Sequence, residues 1–94
     1  MLTLAVYDIS ENKSRNNLIK LLRHHGFYRV QKSVFAGDIT LSERLDLIDN
    51  VEMYLSSERD SIIVVPICES CKDSIMICSE YEITLPHQLE FKLL

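Results

Sequence analysis

Glycine and proline are scarce, two of each in 94 residues, and tryptophan is absent. Hydrophobic residues make up 47% of the chain, enough to close a core, so a disordered or low-complexity chain is excluded. Long apolar runs are missing as well. The longest, Ile62 to Ile67, falls far short of the roughly 20 residues of a membrane helix, and no membrane partner is expected. Three cysteines, an odd number without a recognisable secretory leader, argue against a disulfide-stapled secreted domain. The expectation is a cytoplasmic protein with reduced thiols. At this length the chain makes one domain with one modest core, too small for a cleft between two lobes. Walker, GxGxxG, HExxH and GxSxG motifs do not occur. Nucleotide-cofactor and serine-hydrolase classes are therefore unsupported.

The net charge of −4 hides an asymmetry. Residues 1–40 carry six basic side chains against three acids, a balance of +3. Residues 41–94 carry four basic side chains against eleven acids, a balance of −7. The basic half can hold a polyanion despite the acidic half, because phosphate attraction is local and screened within roughly 10 Å.

The chain reads as β-α-β-β-α-β. Leu2, Leu4 and Val6 alternate with Thr3, Ala5 and Tyr7, giving a strand that ends on Asp8. Leu18, Leu21, Leu22 and His25 recur at helical spacing, and Gly26 stops that helix. Ser10 and Asn12 are its candidate N-caps. Phe27 to Ala36 alternates again, giving a second strand closed by Gly37-Asp38. Thr40 and Glu43 read as a capping box opening a second helix. Its stripe is Leu41, Leu45, Ile48 and Leu55, with Leu47, Val51 and Tyr54 beside it. Ser61 to Ile67 is apolar on both faces, which predicts a central strand, with Pro66 ending its ladder. Ser74 to Cys78 reads as a short fourth strand. Residues 1–78 would form the core, and residues 79–94 a tail facing a partner.

Two helices cover only one face of a four-stranded sheet. An apolar face left open calls for a partner, most simply a second copy of the chain. The apolar tail could add a strand to that partner's sheet edge.

Asp8 is the first candidate for chemistry, because it ends a strand before a loop and a helix. Magnesium takes six oxygens, commonly one or two carboxylates with waters. One Asp8 is too few, but a symmetric dimer supplies two, and two carboxylates with a water make a hydrolytic metal site. Arg15, Arg29 and Lys32 are the candidates for phosphate, which an arginine fork matches bidentately. Cys68-Glu69-Ser70-Cys71 is a CxxC. Only Cys78 remains as a third thiol, so a four-ligand zinc site is not expected. The pair follows a strand rather than opening a helix, so a redox role is not expected either. His24 and His25 suit the end of the first helix, where positive charge meets the dipole.

Taken together, Val6-Tyr7-Asp8-Ile9, Arg15-Asn16 and Arg29-Val30-Gln31-Lys32-Ser33-Val34-Phe35-Ala36-Gly37 resemble the Cas-two family of small CRISPR-associated proteins. Pro66-Ile67-Cys68-Glu69-Ser70-Cys71 resembles the family segment after the third strand, and the likeness runs over residues 1–78. It implies an α+β, ferredoxin-like fold with two helices on one face of an antiparallel sheet, and a homodimer packed through the sheets. It implies a metal-dependent endonuclease of single-stranded RNA or double-stranded DNA. Asp8 would be catalytic and would bind Mg2+ or Mn2+ near the dyad. Tyr7, Arg15, Arg29, Lys32 and Phe35 would face nucleic acid. Asn17 departs from the family where some members carry a second basic residue. The resemblance also implies a role in spacer acquisition, the dimer bridging the Cas-one integrase and holding duplex DNA, a role that can do without the aspartate. The alternative is a ferredoxin-like nucleic-acid-binding or regulatory module outside CRISPR systems and without catalysis. An RNA-recognition domain would show stacking aromatics on its central strands, and Ser61 to Ile67 has none.

Overall fold

A computed structural model of the chain describes residues 1–81, 83 and 92–93. Strand β1 (Leu2–Asp8) leads to helix α1 (Asn12–His24), strands β2 (Tyr28–Gln31) and β3 (Val34–Asp38), helix α2 (Leu41–Val51) and strand β4 (Ser61–Ile67). The four strands make one antiparallel sheet in the order β2-β3-β1-β4. This is the α+β, ferredoxin-like architecture expected from the sequence. Helix α3 (Glu69–Lys72) and strand β5 (Met76–Ile77) follow, and β5 pairs in parallel with β6 (Lys92–Leu93) apart from the main sheet.

The core lies between the helices and one face of the sheet. Ala5 and Tyr7 of β1 and Phe35 of β3 meet Leu18 and Leu22 of α1 and Leu47 and Val51 of α2. Each large apolar side chain buried there contributes roughly 1.5–3 kcal/mol. Helix α1 ends in a Schellman motif. Gly26 takes φ 84°, its N–H donates to Arg23 O, and the Phe27 N–H donates to Leu22 O. The turn delivers Phe27 to the core over Gly37, where a Cβ would stand 2.8 Å from the Phe27 ring. At α2 the capping box forms in full between Thr40 and Glu43.

The structure corrects several expectations. The single strand predicted over 27–36 is a hairpin, with Tyr28 opposite Ala36 and Arg29 opposite Phe35. Lys32 and Ser33 form its turn without glycine or proline, so no turn signal interrupts the alternation. The split supplies the second and third strands of the motif. Ser61 to Ile67 is an edge strand rather than a central one, pairing only with β1 among the described residues. Pro66 does not end its ladder, which continues to Ile67 opposite Leu2; an edge tolerates the missing N–H. The strand expected at 74–78 is reduced to Met76–Ile77 and lies outside the main sheet. Helix α1 begins at Asn12 after Glu11 with no side-chain cap, because Ser10 is bound to Asp60. On α2 the buried residues are Leu47 and Val51, whereas Leu41, Leu45 and Ile48 are exposed, as is Leu55 beyond the helix end. The tail's Lys92 and Leu93 pair with this chain's own β5, and the rest of the tail assignment lies outside the described residues apart from 79–81 and 83.

Among the described residues, the second face of the sheet is covered at one end only. Ile75 and Ile77 pack with Leu2, Leu4, Val30, Ala36 and Ile67. Towards the other end Val6 stands between Val34 and Ile63, and Ile63 and Val65 are 57% and 38% exposed. Asp8 continues the row Leu2, Leu4, Val6 by strand alternation, so it sits at this open end.

Candidate functional site

A cleft of about 420 Å³ lies where β1 ends, α1 begins and the β2–β3 hairpin turns. Asp8, Arg15, Asn16, Arg29, Lys32 and Ser33 give its polar lining, and Ile9 and Ile19 its apolar part. Three cations thus face one carboxylate. The excess of positive charge suits an anionic ligand, and phosphate matches the two arginine forks. All four charged candidates from the sequence are brought together here.

Tyr7 organises the cleft from beneath. Its N–H donates to Ser33 O at 3.1 Å and its phenol donates to Lys32 O at 3.0 Å. Both turn residues are therefore tied to the residue that precedes Asp8. The Arg29 guanidinium lies 5.3 Å from the centre of the Phe35 ring, a cation–π placement on the edge strand. The Tyr7 and Phe35 rings pack at 6.1 Å. Tyr7 and Phe35 are both buried; these aromatic candidates set the positions of Lys32 and Arg29 rather than presenting a surface.

Arg15 is half-buried and partly committed. Its Nη1 donates to Ile9 O at 3.0 Å and its Nη2 donates to the Asn12 carboxamide. It braces the loop between β1 and α1 while lining the cleft. Asn17, where some family members carry a second basic residue, lines a different groove of about 580 Å³ with Lys20, His24 and Tyr54. Asn17 is not among the residues that line the Asp8 cleft. His24 stands nine residues beyond Arg15 on α1, about 13 Å along the helix, and takes no part.

Asp60 was missed in the sequence. Its carboxylate accepts from the N–H and hydroxyl of Ser56, both at 2.8 Å, from the N–H and hydroxyl of Ser10 and from the Ser57 hydroxyl. The Ser56 N–H, then the Ser10 N–H, hold it well below the usual carboxylate range. Asp60 thereby ties the loop after Asp8 to the start of β4. The signal was Ser56-Ser57 three to four residues before an aspartate, which reads equally as an ordinary turn.

Among the described residues no group of three His, Cys, Asp or Glu side chains gathers to hold a metal. Asp8 is the one carboxylate of the cleft among the described residues. A single chain therefore offers an open, one-carboxylate donor set, the minimum for a hydrated Mg2+, and a second carboxylate would hold the ion more firmly.

Residues 1–75 match the family model described as CRISPR associated protein Cas2. The chain belongs to the Cas2 family. A Cas2 relative from Archaeoglobus fulgidus, named a CRISPR-associated endoribonuclease, is 38% identical over 85 residues, 90% of each chain. Another so named, from Methanospirillum hungatei, is 29% identical over 77 residues, 82% of this chain and 81% of its own. The crystal structure of Streptococcus pyogenes Cas2 superposes with a TM-score of 0.69 over 80% of this chain and 95% of its own, at 24% identity. This last likeness concerns the fold. The Cas2 match makes the chain a CRISPR-associated protein, as the resemblance implied.

Proposed function

We propose that the chain acts as a homodimeric nucleic-acid-binding protein of CRISPR spacer acquisition, with a metal-dependent endonuclease centre at paired Asp8 residues. The observation that carries this reading is the cleft itself. One carboxylate and three cations meet at the open end of an apolar sheet face. The apolar end around Val6, Val34, Ile63 and Val65 favours burial against a second copy. Such packing brings Asp8 of each copy towards the dyad, supplying the second carboxylate.

Arg15, Arg29 and Lys32 would hold the phosphodiester backbone, with the rigid hairpin fixing the spacing of the last two. Alone, Asp8 repels a phosphate. Paired, the two carboxylates would hold Mg2+ or Mn2+, which would supply charge neutralisation and water activation. The relatives' names favour RNA as substrate, and double-stranded DNA is the other candidate. The arginines and lysine also serve a scaffold that holds duplex DNA and bridges the Cas-one integrase, for which Asp8 is dispensable. Light scattering tests the dimer. The wild type should run at twice the chain mass and Ile63→Asp at the chain mass, whereas a monomeric wild type would overturn the paired-carboxylate centre.

A further inference from the structure

The cysteines are not buried or idle. Cys68, Cys71 and Cys78 are all exposed and unbridged. Cys68 is the residue before α3, and Cys71 lies on its first turn. The Cys68 and Cys71 thiols lie within hydrogen-bonding reach of each other, so a local adjustment brings the pair to disulfide geometry. The Cys68 Sγ lies 3.3 Å from the Ser70 Oγ. The Cys71 N–H and thiol also face it. Helix α3 has only four residues, and the site rests on the paired thiols and the Ser70 hydroxyl.

We propose that Cys68 and Cys71 form a reversible dithiol–disulfide site that reacts with small-molecule disulfides of the glutathione type. The Cys68 thiolate attacks one sulfur of the disulfide, forming a mixed disulfide and releasing one thiolate, which takes up a proton. Cys71 then loses its proton to solvent and attacks the Cys68 sulfur. The intramolecular bond forms and the second small thiol leaves. One disulfide is reduced to two thiols, and one protein dithiol is oxidised by the same two electrons.

The two cysteines have unequal parts. The Ser70 hydroxyl, then the Cys71 N–H and thiol, lower Cys68 from 9.0 to about 7. Cys71 is raised, because it shares its proton with Cys68 and feels that charge. At pH 7 about half of Cys68 is thiolate, against roughly one part in a hundred at the ordinary value. A less basic thiolate is less nucleophilic, which removes about six- to tenfold. The net advantage of Cys68 is about five- to eightfold. In a reducing compartment such a pair stays a dithiol until oxidant rises.

The test is intact-mass analysis of the full chain with oxidised glutathione at pH 7, in the wild type and in Cys68→Ser, Cys71→Ser and Cys78→Ser. Wild type and Cys78→Ser should lose two hydrogens without a lasting adduct at the pair, reversibly with reductant. Cys71→Ser should keep one glutathione on Cys68. Cys68→Ser should react at least about fivefold more slowly at Cys71. A stable adduct on Cys68 in the wild type would overturn the proposal. So would Cys68→Ser reacting at the wild-type rate, or Cys78 reacting first.

Discussion

The phenol of Tyr7 donates to the carbonyl of Lys32 at 3.0 Å, across 25 positions of the chain. Beside it, the Tyr7 N–H donates to Ser33. One buried residue thus fixes the hairpin turn against the strand end that carries Asp8. Tyr7→Phe removes the first bond and keeps the ring. A loss of about 0.5–1.5 kcal/mol in stability is expected, read from urea unfolding. RNA affinity should fall with it, because Lys32 is no longer held. Unchanged affinity would show that the turn is fixed by the backbone bond alone.

Arg15 and Arg29 reach the cleft from α1 and from the edge strand. Their double replacement by alanine should weaken nucleic-acid binding and flatten its salt dependence. For a single strand the slope should fall by about 1.4, since each neutralised phosphate contributes about 0.7. The measurement is affinity against salt concentration. A uniform loss with the slope intact would make the two arginines structural braces.

The acid side of stability should report on Asp60. Its folded pKa is lowered from 3.8 by the serine N–H and hydroxyl donors. The ionised form is therefore favoured in the folded state, and its contribution is fully present above the unfolded value. It is lost as pH falls below that value towards the folded one. Urea midpoints should drop below about pH 4 in the wild type. Asp60→Asn should be less stable at neutral pH and should lose part of that drop. Parallel pH profiles in the two proteins would contradict the role assigned to the serine cage.

The element types and the site charges were legible in the sequence, but the strand boundaries were not. Alternation gave β1 and the hairpin region, and Thr40 with Glu43 gave the start of α2. The turn at Lys32-Ser33 was invisible because it carries no glycine, proline, asparagine or aspartate to mark it. Ser61 to Ile67 looked central because it is apolar on both sides. One side faces the core and, among the described residues, the other stays partly exposed beside Asp8, so apolar composition on both sides does not require a central position. The two stripes of α2 were indistinguishable by spacing, and tertiary contact chose Leu47 and Val51. Asp8, Arg15, Arg29 and Lys32 could be named singly, but their meeting in one cleft needed the fold. The CxxC was discounted for following a strand, yet a short helix begins immediately after Cys68.

The central claim is that Asp8 does chemistry at a metal-dependent centre in a dimer. The most direct measurement is cleavage of labelled single-stranded RNA and duplex DNA, with magnesium or chelator, by wild type and by Asp8→Asn, both first checked as dimers. Cleavage that requires magnesium and disappears in dimeric Asp8→Asn is the predicted result. Equal cleavage by the two proteins, or none by either, would contradict it.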